Sequence, residues 1–162
     1  DKSGSMKEDF GGTSKRIAAS NAITALTKSL KQNANIDARF SMVTFSGNKT
    51  TGMWGQGDTK TWDDAEVAVS WTTDAGTIER GSKPTSNGGT NYQAGIRTAK
   101  ELLTSKRAGA MTAVIFISDG DPTFYYNPDG YTRGDGNNDG NGGADNLKVC
   151  LDAAKNETFI VQ

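Results

Sequence analysis

Histidine is absent from this sequence, and cysteine occurs once, as Cys150. Without histidine the chain has no Ser-His-Asp or Cys-His arrangement for nucleophilic catalysis. It also lacks the commonest ligand of zinc and copper, so a resident metal has to be a hard cation held by oxygen. A single cysteine forms no disulfide within the chain and builds no zinc cage. No apolar run approaches the ~20 residues of a membrane span, so direct membrane insertion is not expected. Positive charge is not in surplus: 18 basic residues face 19 acidic ones, for a net charge of −1. Nothing in that balance attracts nucleic acid or an anionic membrane. Apolar residues are also scarce, at 34% of the 162 residues, while glycine is plentiful at 20. Clear apolar segments remain, so the composition implies one domain, residues 1–162, with a modest core and long polar loops rather than disorder.

Those segments alternate in type. Residues 14–33 carry Ile17, Ile23, Leu26 and Leu30 on an approximate helical stripe, with Thr13 or Ser14 as the cap. Ala38 to Phe45 is rich in aromatic and β-branched residues and reads as a strand. Gly47 to Asp58 is rich in turn residues. Glu66 to Thr72 alternates Val67, Val69 and Trp71 with smaller or polar residues and reads as a half-buried strand. A polar loop then runs to a second helix, Asn91 to Leu103, with Ile96, Ala99, Leu102 and Leu103 inward. Ala113 to Ile117 is apolar at every position, as in a central strand buried on both faces. Residues 127–143 form a Gly/Asn/Asp loop, Ala144 to Lys155 a third helix, and Phe159 to Gln162 the start of another strand. Strands alternating with helices predict an α/β fold with a mainly parallel sheet, whose ligands bind beyond the carboxyl ends of the strands.

Three short segments offer small oxygen donors: Asp1-Lys2-Ser3-Gly4-Ser5, Gly89-Thr90-Asn91 and Ser118-Asp119-Gly120. Taken singly, each also reads as a turn or a helix cap. Together they supply two carboxylates, Asp1 and Asp119, and three hydroxyls, Ser3, Ser5 and Thr90. A hard divalent ion accepts such a set and stays under-neutralised by it, which leaves it able to take an acidic group from a partner.

In these residues the chain resembles a von Willebrand factor A domain. DKSGS is similar to the D-x-S-x-S segment of that family's metal-ion-dependent adhesion site. Gly88-Gly89-Thr90-Asn91 and Phe116-Ile117-Ser118-Asp119-Gly120 are similar to its later Thr loop and to its Asp after a buried strand, in the same order. The resemblance covers essentially the whole chain. It implies a Rossmann-like three-layer fold, with a central, mainly parallel sheet flanked by helices. It implies Mg²⁺ or Mn²⁺ held by Asp1, Ser3, Ser5, Thr90 and Asp119. The two serines ligate directly in this family, the first Asp and Asp119 commonly through water, and the Thr either way. The family's first strand would precede Asp1, and its last elements would follow Gln162, so the chain reads as part of a larger polypeptide.

The implied function is adhesion and not catalysis: an acidic residue of a protein ligand, from a host or matrix, completes the metal shell. The long polar insertions resemble those of surface and pilus-tip adhesins of Gram-positive bacteria, which places the protein outside the cell, on a cell wall or pilus. Alternatives are an intracellular assembly module on the same fold and a Mg²⁺-dependent phosphoryl-transfer enzyme. Haloacid-dehalogenase-like phosphatases need a second carboxylate where this chain has Ser3. Phe124, Tyr125 and Tyr126, just past Asp119, form either a ligand-contact rim or loop packing. Asp135, Asn137 and Asp139 mimic the start of an EF-hand Ca²⁺ loop, but the twelfth position is Asn146 and not Glu. Asn48-Lys49-Thr50 and Asn156-Glu157-Thr158 fit the glycosylation pattern, one that chance often produces.

Overall fold

Residues 1–47, 64–128, 130–134, 136 and 143–157 are described by the computed structural model. Several expectations lie outside them: the turn-rich stretch beyond Gly47, the first glycosylation pattern and Thr158 of the second, the Asp135, Asn137 and Asp139 pattern, and the strand begun at Phe159. The described chain runs through a 3₁₀ turn (Gly4–Lys7), α1 (Lys15–Gln32), β1 (Phe40–Phe45), β2 (Ala65–Thr72), α2 (Ala75–Gly81), α3 (Tyr92–Leu103), β3 (Tyr125–Tyr126), β4 (Thr132–Arg133) and α4 (Gly143–Asn156). The class is α/β.

Ser14 starts α1 by accepting from the Ile17 amide, so of the two candidate caps it is Ser14 that acts. The stripe of α1 is not its buried side, however. Ser20 and Thr27 are buried, while Ile17 and Leu26 are 44% and 41% exposed. The reason is the neighbour. α1 packs on α2, a short helix in the stretch expected to be polar loop, and the contact includes a buried Ser20–Ser82 hydroxyl bond of 2.6 Å. Asp74 begins α2 by accepting from the amides of Gly76 and Thr77.

Among the described residues β1 pairs only with β2, and β3 only with β4, both antiparallel. Met42 faces Val69 while Val43 faces Val67, so Ala68 has no partner opposite. That bulge breaks the alternation expected of β2: Val69 is buried, Trp71 half-buried and Val67 exposed. α3 lies against both strands, with Gly95 so close to the Phe45 ring that a Cβ would overlap it. α4 packs on α3 and β3, burying Cys150 and Ala154.

The run 113–117 departs most from expectation. It is not a strand, and Val114, Ile115 and Phe116 are 47%, 63% and 44% exposed. Apolar content does not by itself make a buried strand. The backbone must meet a ladder, and none flanks this run among the described residues. Its far end is nonetheless fixed. Phe116 stacks on Phe45 at 5.0 Å between centroids, and Tyr92 meets both rings edge-on. This aromatic trio joins the end of β1, the start of α3 and the residues that lead into Asp119.

Candidate functional site

Aspartate and serine close tight turns with their own side chains, and the first loop does so. Asp1 Oδ1 accepts from the Ser3 amide at 2.7 Å, which turns the chain and buries Ser3. The glycine loop then clasps this turn. Gly4 N–H donates to Gly88 O at 2.8 Å, and Asn87 N–H donates to Lys2 O at 2.8 Å. Gly47 and Gly89 exchange bonds of 2.6 and 2.9 Å. Only glycine serves at 88: its φ is +76°, and a Cβ there would overlap the Gly47 carbonyl oxygen. The third loop is held from Thr90. Its carbonyl accepts from Thr123 and Phe124 at 2.8 and 2.9 Å, and its amide donates to Thr123 Oγ1 at 2.9 Å.

The three loops converge on a cleft of about 400 Å³ whose wall includes Ser3, Ser5, Thr90 and Asp119. Ser5 Oγ donates to Asp119 Oδ1 at 3.0 Å, across 114 residues of sequence. Ser3 Oγ lies 3.1 Å from Ser5 Oγ. Because Ser5 has committed its one proton to Asp119, Ser3 is the donor of that second bond. Asp1 faces the same group differently. Its Oδ1 is held by the Ser3 amide, and its Oδ2 accepts from Ser118 Oγ at 2.6 Å. Asp1 therefore orients the two loops, a role compatible with ligation through water. The Tyr92 hydroxyl lies 3.1 Å from Ser118 Oγ and also meets the Gly120 carbonyl.

Charge in the cleft is mixed. Lys15 Nζ bonds Glu8 Oε2 at 2.6 Å and Asp119 Oδ2 at 3.0 Å, and these partners, Glu8 first, hold its pKa above the usual lysine value. The Asp119 side chain is only 9% exposed, so its pairing with Lys15 is screened less than a surface pair. The backbone nitrogen of Asp1 donates to Ile117 O at 3.2 Å. Burial raises the Tyr92 phenol, which stays protonated well into the alkaline range.

The oxygen set fits a small hard cation. Adjacent ligands of an octahedral Mg²⁺ with bonds of about 2.0–2.1 Å stand about 3.0 Å apart. The Ser3–Ser5 and Ser5–Asp119 oxygens stand 3.1 and 3.0 Å apart, a spacing set by the hydrogen bonds that join them and one that a bound ion could take over without moving the loops. Among the described residues there is no cluster of three or more His, Cys, Asp or Glu, so hydroxyls have to make up such a shell.

Four of the five sequence-derived ligand candidates, Ser3, Ser5, Thr90 and Asp119, line this cleft, and the Asp1 carboxylate stands behind them on the Ser3 amide and Ser118 Oγ. Thr90 is not the cap of α3. Asn91 is, accepting from Ala94 N while its Nδ2 donates to the buried Asp64 at 2.8 Å. Phe124 and Tyr126 are 3% and 5% exposed and Tyr125 is half-buried, so the first two are loop packing and not a contact rim. The Phe124 ring lies over Gly47 and Gly89, where a Cβ on either would strike it. Lys15, Glu8, Asp121 and Thr123 also line the cleft and were not singled out by sequence. Asp121 had a visible signal, two residues past Asp119 at the same loop. Lys15 and Glu8 had none, because their nearness to Asp119 is purely tertiary. No protein-family model and no curated protein matches the chain.

Proposed function

We propose that this chain is a metal-dependent adhesion module of the von Willebrand factor A type, with its cation in the cleft of Ser3, Ser5, Thr90 and Asp119. The observation that carries the reading is that Ser5 and Asp119, 114 residues apart in sequence, meet at 3.0 Å in one cleft whose wall also includes Ser3 and Thr90. A bound Mg²⁺ or Mn²⁺ supplies a hard Lewis-acid position for a carboxylate oxygen of a protein partner. Ser3 and Ser5 point their lone pairs at it, Asp119 supplies negative charge, and Asp1 fixes the turn that aims them. Thr90 keeps its side chain available because its backbone makes its hydrogen bonds. The reading assigns the protein to binding and not turnover, and to the surface of a Gram-positive cell or its pilus, in keeping with its long polar insertions.

The same reading carries a doubly wound sheet. Two bonds bring its parts together: Lys2 N–H donates to Phe45 O at 2.7 Å, and the backbone nitrogen of Asp1 donates to Ile117 O. The first two residues therefore bridge the ends of β1 and the 113–117 run.

Titration calorimetry with Mg²⁺ and Mn²⁺ tests the site. Saturable binding is expected in the wild type, with at least about a tenfold loss in Asp119→Ala, because half the carboxylate charge goes. Absence of saturable binding in the wild type would sink the reading.

A further inference from the structure

Asp119 turns its two oxygens to different donors. Oδ1 faces the Ser5 hydroxyl, and Oδ2 is held by the Lys15 ammonium at 3.0 Å. Lys15 is not a wandering surface side chain. Its amide donates to Glu8 O at 3.0 Å, Asp9 and Ser14 bridge the same turn, and Glu8 Oε2 holds the ammonium at 2.6 Å. The turn from the 3₁₀ segment to α1 thus delivers a fixed positive charge to one of the only two carboxylates in the candidate ligand set. With Lys15 in place, the Oδ2 side of Asp119 is shared with an ammonium that Glu8 also holds.

We propose that Lys15 is the residue that sets cation affinity in this cleft, by sharing Asp119 with the metal and so holding divalent-ion affinity below what the five ligands alone would give. This rests on the metal-site reading above. A dication that shares Asp119 with Lys15 keeps more positive charge to offer a partner's carboxylate than one that holds Asp119 alone. Lys15 therefore weakens the hold on the metal and strengthens the pull of the loaded cleft on an anionic ligand.

The test is Mn²⁺ titration of the full chain, with free Mn²⁺ followed by electron paramagnetic resonance, in wild type, Lys15→Met, Lys15→Gln, Lys15→Arg and Lys28→Met. Lys28 pairs with Glu79 and is not among the residues of the cleft wall, so its loss changes net charge equally without touching Asp119. Lys15→Met and Lys15→Gln should bind Mn²⁺ about tenfold more tightly than wild type, as expected for removing a unit charge a few ångströms from the site. Lys15→Arg and Lys28→Met should stay within about twofold of wild type on the same reasoning. Thermal melts of each variant establish that it is folded, and should Lys15→Met not fold, Lys15→Gln carries the comparison. Equal affinities in wild type, Lys15→Met and Lys15→Gln, or a Lys28→Met gain as large as theirs, would overturn the role of Lys15 and leave the site standing. Binding in the neutral variants but not in wild type would sink the metal site in the natural chain and, with it, the role of Lys15 as a moderator of affinity. No binding in any variant overturns both the role and the site.

Discussion

The loops around the cleft and the apolar run at 113–117 are joined at Ser118, yet they are held in place differently. Around the cleft, each loop finds backbone partners on the next: Lys2 with Asn87, Gly4 with Gly88, Gly47 with Gly89, Thr90 with Thr123. In the run, residues 113–116 are all exposed, and among the described residues Phe116 and Ile117 are the ones with anchors, the Phe45 ring and the Asp1 nitrogen. A polar site can be closed by a few short-range bonds between turns whose shapes are fixed by glycine and by Asp and Ser side chains. A central strand cannot be made that way, because its burial requires a ladder on each side.

The largest effect should come from cutting the loop clasp. Gly88→Val places a β-branched residue at φ +76° against the Gly47 carbonyl. The expected cost is about 3–5 kcal/mol by denaturant unfolding, with Mn²⁺ binding lost, because strain and overlap add. A variant that keeps wild-type stability would show that the clasp is not what holds this region. The next effect contrasts the two regions with one chemistry. Ile78 is 1% exposed, so Ile78→Ala should cost about 3 kcal/mol. Ile115 is 63% exposed, so Ile115→Ala should stay within about 0.5 kcal/mol. A large loss at Ile115 would mean that the run is buried in solution and that the central strand has formed.

The smallest effect is in acid. Burial pushes the Glu157 carboxyl up, but Arg97 and Gln93 bond it and hold its pKa below 4.5 overall. A depressed carboxylate adds stability above its unfolded pKa and loses it as pH falls through the folded value. Its contribution is therefore complete above pH 4.5 and fades below it. After solvent screening it amounts to no more than about 1 kcal/mol. Wild type should lose its margin over Glu157→Gln when melts at pH 7 and pH 3.5 are compared, and a margin unchanged by pH would remove the pair from the account.

What was legible in the sequence was what local pattern dictates. α1, β1, β2, α3 and α4 all sit close to where periodicity and capping residues put them, and Ser3, Ser5, Thr90 and Asp119 line one cleft. What was not legible depended on contacts across long gaps. α2 is too short for its period to register, and Asp74 capping it looks like any turn aspartate. Thr90 and Asn91 are both good caps, and the choice falls to Asn91, whose amide bonds Asp64 from the far side of β2. The outward face of α1 follows from packing on that unforeseen α2. Phe124 and Tyr126 look like surface aromatics until Gly47, Gly89 and Gln93 are seen beneath them.

Lys2 has one further consequence, which is mechanical. Its amide is bonded to Phe45 and its carbonyl to Asn87, at 2.7 and 2.8 Å, one residue before Ser3. A pull on Lys2 therefore meets two backbone bonds to two different loops before any displacement reaches the serine hydroxyls. The segment that would take up tension and the segment that carries the Ser3 and Ser5 hydroxyls are the same five residues, so a force along this stretch of chain and the geometry of the cleft share one path.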